Sequence, residues 1–322
     1  MELTVTHTLS AHFVEVAAPS TVHFEHDGVS VRVAAAINPD AAFATITCAG
    51  TSDIADDTQL SDAGGAIGVL SNALIMLPDP HDQHYAPAVA AACNRVEDVL
   101  RHVASVLRWR FGVHGHDAVF KDTAVAARLA DGQPLGLQLV PQAAMGDDRA
   151  QIEPGGLAAV ADLVTSSQRE PVAHELWREA WNLRHANPRS SLVIGAAAAE
   201  VGLKQLIAAL VPDAASLVQN IPSPPLDVMM RKVLPTLPIR ADVEPGRRAP
   251  RHLRTAITTA VEERNRVVHL GATPRGDLRG TLLAIREFLY LLDKYSGQPW
   301  ADAMLTQTTR SALAEPQEPV RG

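Results

Sequence analysis

Cysteine is nearly absent. Two residues, Cys48 and Cys93, cannot staple a chain of 322 residues, and they lack the spacing of metal ligands. Their scarcity points to a reducing, cytoplasmic setting. The opening Met1-Glu2-Leu3-Thr4 lacks the basic start and apolar core of a signal peptide. The most apolar long run, Leu192 to Leu210, is broken by Glu200 and Lys204, so it reads as a buried helix and not as a membrane span. Gly64-Gly65-Ala66-Ile67-Gly68 lacks the Gly-Lys-Ser/Thr ending that would hold phosphates. There is no Gly-x-Ser-x-Gly, and neither cysteine has a neighbouring histidine to make it a nucleophile. His81-Asp82-Gln83-His84 and His114-Gly115-His116-Asp117 have ligand-like spacings, but each lies in an expected loop without a fixed third ligand. Asp53, Asp56 and Asp57 read as a solvated acidic loop. No metal and no other cofactor is therefore expected.

What is present fits two domains. Apolar residues make up 47% of the chain, ample for two cores. The net charge of −8 argues against nucleic acid, but its distribution does not. Pro171 to Ser296 holds 17 Lys+Arg against 12 Asp+Glu, a net of +5, and the remainder carries −13. A basic functional half beside an acidic domain fits this asymmetry, and so does a merely solvated surface.

Residues 1–145 read as an α+β domain. Strand alternation appears at Leu3 and Val5, at Val22 and Phe24, at Val29, Val31 and Val33, and again from Phe43 to Cys48. Asp27-Gly28 is a strong hairpin signal. Gly64 to Gly68 is expected to be a loop, or a weak helix start into Val69 to Leu77. Ala86 to Phe111 repeats Val89, Cys93, Val96, Leu100, Val103, Leu107 and Phe111 at helical spacing. Two further strands, Ala118 to Leu129 and Leu135 to Val140, flank Asp131-Gly132. The expected architecture is a small antiparallel sheet with one long helix on it.

Pro141 to Gly156 is rich in Pro, Gly, Asp and Gln and is the linker candidate. Helices then follow over 157–166, 171–186, 189–210, 226–234, 252–270 and 278–295, which predicts an all-α bundle over 157–296. Trp177 and Trp181, four apart, are expected in its core or in a dimer interface. The tail 314–322, with Pro316 and Pro319, is expected to be disordered.

One stretch of the bundle carries chemistry. Val261-Glu262-Glu263-Arg264-Asn265-Arg266-Val267-Val268-His269-Leu270 places a permanent cation, an amide and an imidazole within six residues. Asn265 and His269 lie within about 40° of each other on a helix, whereas Arg264 and His269 are about 140° apart. A second copy of the helix, related by a two-fold axis, closes that gap. Cleaving RNA without a metal needs a base for the 2′-hydroxyl proton, an acid for the leaving 5′-oxygen, and a cation at phosphorus. Histidine suits the proton transfers and arginine the phosphate. Arg266 is either a second phosphate ligand or a surface cation. Upstream, Arg247, Arg248, Arg251 and Arg254 lead into the helix and could hold RNA phosphates; a solvated loop and first turn would look the same.

The Arg-Asn-x-x-x-His spacing on a penultimate helix resembles the HEPN family. Ala199-Glu200-Val201-Gly202-Leu203-Lys204 is similar to the Ala-Glu-x-x-Leu-Lys segment on an early helix of that family. The resemblance covers Pro171 to Ser296. It implies a metal-independent endoribonuclease in which Arg264, Asn265 and His269 are catalytic and Glu200 supports Arg264. The site would be built across a homodimer formed by the bundle. It further implies a role as a toxin or in phage defence, under a regulatory ligand or an antitoxin-like partner. The same spacing could mark a non-catalytic dimer that binds nucleotide, RNA or a protein.

Overall fold

A computed structural model describes residues 2–9, 12–16, 19–37, 44–53, 68–70, 73–76, 86–113, 120–128, 132, 138–139, 149–220 and 225–314. The chain divides into two compact units, Met1–Arg169 and Glu170–Gly322.

The first unit is α+β. β1 (Glu2–Leu9), β3 (Ser20–His26), β4 (Val29–Ile37), β5 (Ala44–Asp53) and β8 (Phe120–Arg128) form an antiparallel sheet in the order β3-β4-β5-β1-β8. β2 (His12–Val16) pairs with the start of β5 and, in parallel, with β10 (Arg149–Ile152). The β3–β4 hairpin turns at Asp27 and Gly28, whose φ values of 48° and 72° are the left-handed pair that a two-residue hairpin requires. Leu3, Val5, Val29, Val31 and Val33 are fully buried on one face of the sheet. Helix α1 (Ala86–Phe111) lays Val89, Cys93, Val96, Leu100, Val103, Leu107 and Phe111 into the same core, as its periodicity required.

Four features of this unit differ from the expectation. β6 (Gly68–Leu70) and β7 (Ala73–Met76) pair as a short hairpin where a loop or helix start was expected, because so short an apolar run does not distinguish helix from strand. β9 (Gln138–Leu139) pairs with β7, so the two strands flanking Asp131-Gly132 belong to different sheets. The linker candidate contains β10, whose Ile152 is a core residue; 141–148 lies outside the described residues. Helix α2 (Gly156–Thr165), placed with the bundle by its sequence, instead packs Leu157, Val160 and Val164 into the core of the first unit. Apolar periodicity shows that a helix buries a face, not which core receives it. The segments around His81, His84, His114 and His116 also lie outside the described residues.

Both thiols are sealed in this core. Burial pushes the Cys48 and Cys93 thiols up to about 12. Neither is expected to react with an aromatic disulfide reagent at pH 8 until denaturant is added, when both should be released together. Reaction of either in the native protein would show that this core opens locally.

The second unit is helical. α3 (Val172–Leu183), α4 (Pro188–Leu210), α6 (Arg251–Leu270) and α7 (Leu278–Ser296) pack together, with α4 in contact with the other three. Between them lie α5 (Ala215–Asn220) and a turn of mixed helical geometry over 226–236. α4 is long and apolar enough to cross a membrane by length and composition, and half of that stretch is buried within the protein. Trp177 and Trp181 are buried and stacked with ring centroids 5.4 Å apart, and Trp177 Nε1 donates to Leu282 O. A buried His174–Asp293 pair at 2.8 Å joins α3 to α7. Beyond the expected bundle, α8 (Gln307–Ala314) is tied to the start of α6 through His252 and Thr309. The tail from 315 lies outside the described residues.

Candidate active site

Helix α6 carries the motif. Its apolar stripe, Leu253, Ile257, Ala260 and Val267, faces the bundle, and Gly271 closes it at φ 63°. Arg264 sits at the margin of that stripe and is half-buried. Its Nη2 lies 3.9 Å from Glu200 Oε2 on α4, and Glu200 is in turn 3.4 Å from Lys204 Nζ. Glu200 thus faces Arg264 from a neighbouring helix, at ion-pair distance and without a hydrogen bond. Arg264 Nε is buried and has no hydrogen-bond partner among the described residues. That leaves part of its donor fork uncommitted.

Asn265 and His269 project from the outer face and are exposed. Among the described residues neither side chain has a hydrogen bond or ion pair, and nothing within the chain joins them to Arg264. Two large apolar residues border them uncovered, Val268 at 53% and Leu270 at 76% exposure. Arg264 is thus pre-positioned by its own chain, while the amide and imidazole face outward.

The arginines divide. Arg266 bonds bidentately to Glu263, with Nε–Oε2 at 2.9 Å, and also donates to Thr273 O. Glu263 accepts from the Arg275 backbone as well, so the pair locks the loop after α6 onto the helix. Arg266 is thereby drawn away from the outer face. Arg248 is a correction to the RNA-facing group. Its guanidinium is turned inward onto the carbonyls of Leu234, Pro235, Leu237 and Val243, and its own carbonyl accepts from Tyr295 Oη. The forked side chain that suits phosphate suits a cluster of carbonyls equally well. Arg251 is exposed, and Arg247 and Arg254 are half-buried; none of the three forms an ion pair among the described residues. Arg254 precedes Asn265 by three helical turns, about 16 Å, on the same face.

The Glu263 lock was not foreseen, although its i,i+3 spacing to Arg266 was visible. Hydrogen bonds from Arg266 and from the Arg275 backbone hold the Glu263 carboxyl down at about 2. A depressed carboxylate stabilises the fold above its ordinary value of about 4.5 and loses that contribution as pH falls through about 2. The melting-temperature gap between the unmodified chain and Glu263→Gln should therefore be constant from pH 5 to 7 and shrink between pH 4.5 and 2. A gap independent of pH would refute the lock. A cavity of 260 Å³ beside Glu263, lined also by Leu192, Ala260 and Leu278, opens on the flank of α6 away from Asn265.

No protein family, curated protein or solved structure matches this chain.

Proposed function

We propose that this protein is a metal-independent endoribonuclease of the HEPN type, acting as a homodimer through its helical unit. The observation that carries the reading is the arrangement on α6: Arg264 lies 3.9 Å from Glu200, while Asn265 and His269 stand exposed beside Val268 and Leu270, without a side-chain partner among the described residues. A second copy docked on this apolar border would cover about two exposed side chains per chain and bring two imidazoles into one cleft.

In that cleft one His269 removes the 2′-hydroxyl proton and the resulting oxyanion attacks phosphorus. The other His269 protonates the departing 5′-oxygen. Arg264 binds the non-bridging oxygens as charge builds on them. Asn265 orients the phosphate or the ring. The products are a 2′,3′-cyclic phosphate and a 5′-hydroxyl, and DNA is spared because it lacks the nucleophile. Arg251 and Arg254, on the same face, guide the strand towards the cleft. The first unit acts as a sensor or restraint under a regulatory ligand or an antitoxin-like partner, and the activity serves as a toxin or in phage defence.

The test is incubation of mixed RNA with the full chain in excess EDTA, with end-group analysis and molecular-mass measurement in parallel. Cyclic-phosphate ends made by a dimer are expected. RNA binding without cleavage, at every RNA and protein concentration tried and with the helical unit alone, would overturn the catalytic reading in favour of a binding module.

A further inference from the structure

The strongest cluster outside the α6 site lies in the first unit, where the β3–β4 hairpin tip meets α1. His102 Nδ1, on α1, is 3.3 Å from His26 Nε2 at the end of β3. The far nitrogen of His102, Nε2, donates to the Gln168 carbonyl at 2.7 Å. That bond fixes the tautomer: the proton is on Nε2, so Nδ1 presents a lone pair towards His26. Asp27 Oδ2, in the hairpin turn, is 3.5 Å from the same His26 nitrogen.

Two arrangements could hold the rings so. An N–H···N hydrogen bond prefers a shorter separation, about 2.7–3.2 Å, and an in-line approach that would set ring centroids about 5.6 Å apart. Two imidazoles on one tetrahedral cation, with metal–nitrogen bonds of about 2.0–2.1 Å, hold their nitrogens about 3.3–3.4 Å and their centroids about 5.2 Å apart. The centroids of His26 and His102 are 5.1 Å apart, and the rings are inclined at 59°. Both lengths match the chord of a shared tetrahedral ion. The carbonyl behind His102 Nε2 is also the partner that metal-bound histidines use to fix their orientation.

The geometry points to a site for one borderline divalent cation of the zinc class, bound by His26 Nε2 and His102 Nδ1. Among the described residues no group of three or more His, Cys, Asp or Glu side chains is placed as it stands to hold a metal ion. In the proposed site Asp27 swings in as the third ligand. Its side chain is 76% exposed at the hairpin tip, free to rotate so that Oδ2 turns onto the ion, and water takes the fourth position. Binding displaces no proton from His102 Nδ1 and shifts the His26 proton to Nδ1. The ion would tie the hairpin tip to α1 and, through Gln168, to the chain that follows α2. The site belongs to the first unit and α6 to the second, and the inference does not rest on the ribonuclease reading.

The test is calorimetric titration of untagged, EDTA-stripped full chain with zinc chloride at pH 7.5, alongside His26→Asn, His102→Gln and Asp27→Asn. One zinc per chain is expected, with a rise in melting temperature on saturation. Either histidine variant should lose that event, and Asp27→Asn should weaken it by about 10-fold. Because Asp27 is exposed, its variant folds even if a histidine variant does not, and it keeps the comparison valid. Cobalt in place of zinc should give visible d–d absorption that His102→Gln abolishes. No zinc uptake would overturn the site, as would equal uptake and stabilisation in all three variants.

Discussion

Replacing His269 by alanine is expected to lower RNA cleavage by about 10²–10⁴-fold, the range spanned by a positioned proton-transfer group. The melting temperature should stay within a degree, because the ring is exposed and has no side-chain partner among the described residues. Arg264→Ala should cost about 10²–10³-fold through the lost phosphate charge, on the scale of one preorganised donor. Arg264→Lys should recover only part of that loss, because a single ammonium cannot span two phosphate oxygens while contacting Glu200. Glu200→Gln should be milder and should raise KM more than it lowers kcat, since it removes the facing carboxylate without removing the cation. Initial rates on a defined RNA with a 5′-label, measured in EDTA, check all four. Cleavage by His269→Ala at the unmodified rate would remove the site from α6. Since two copies would share the cleft and each supplies one of its two imidazoles, heterodimers of His269→Ala with the unmodified chain should cleave more slowly than the unmodified homodimer.

Much of this was legible in the residues because local rules agreed. The Asp27-Gly28 turn, the seven-residue face of α1 and the end of α6 at Gly271 each have one low-energy conformation for their sequence, and the chain adopts it. What escaped reading depends on partners distant in sequence. Helix α2 carries an apolar stripe that either core could accept, and only the sheet face opposite it decides. β6, β7 and β10 are too short for periodicity to register. In the candidate site, Arg248 and Arg251 look alike as part of one basic run. Four inward-facing carbonyls claim the first, and nothing in the composition announces them. The His26–His102 pair joins residues 76 apart, and no spacing motif reaches across such a distance.

The second large effect is expected at Gly202, which governs how closely α4 and α7 approach. Glycine inside a helix costs about 1 kcal/mol relative to alanine, yet α4 carries two, Gly195 and Gly202, seven residues apart. They face Leu282 and Leu289, also seven apart, on α7. A Cβ at Gly195 would stand 2.7 Å from Leu282 Cδ2, and one at Gly202 would stand 2.6 Å from Leu289 Cδ2. Gly202 is also hemmed by Ala173 Cβ and Leu292 Cδ1, each 3.3 Å from that position, so Leu289 has little room to retreat. Gly202→Ala should therefore be mildly destabilising, its gain in helix propensity only partly offsetting the displaced leucine. Gly202→Val adds two further methyl groups to the same space and should destabilise the unit by about 1–3 kcal/mol. At about 2–4 °C per kcal/mol for a unit of this size, the loss is a melting shift of several degrees. Pairing Gly202→Val with Leu289→Ala should return part of it, and the double-mutant cycle measures the contact directly. An unshifted melting curve for Gly202→Val would mean that the two helices are not held at this separation. Glu200 lies two residues from Gly202, so pushing α4 from α7 also shifts the carboxylate that faces Arg264. Cleavage should fall together with stability in Gly202→Val, whereas it falls alone in His269→Ala.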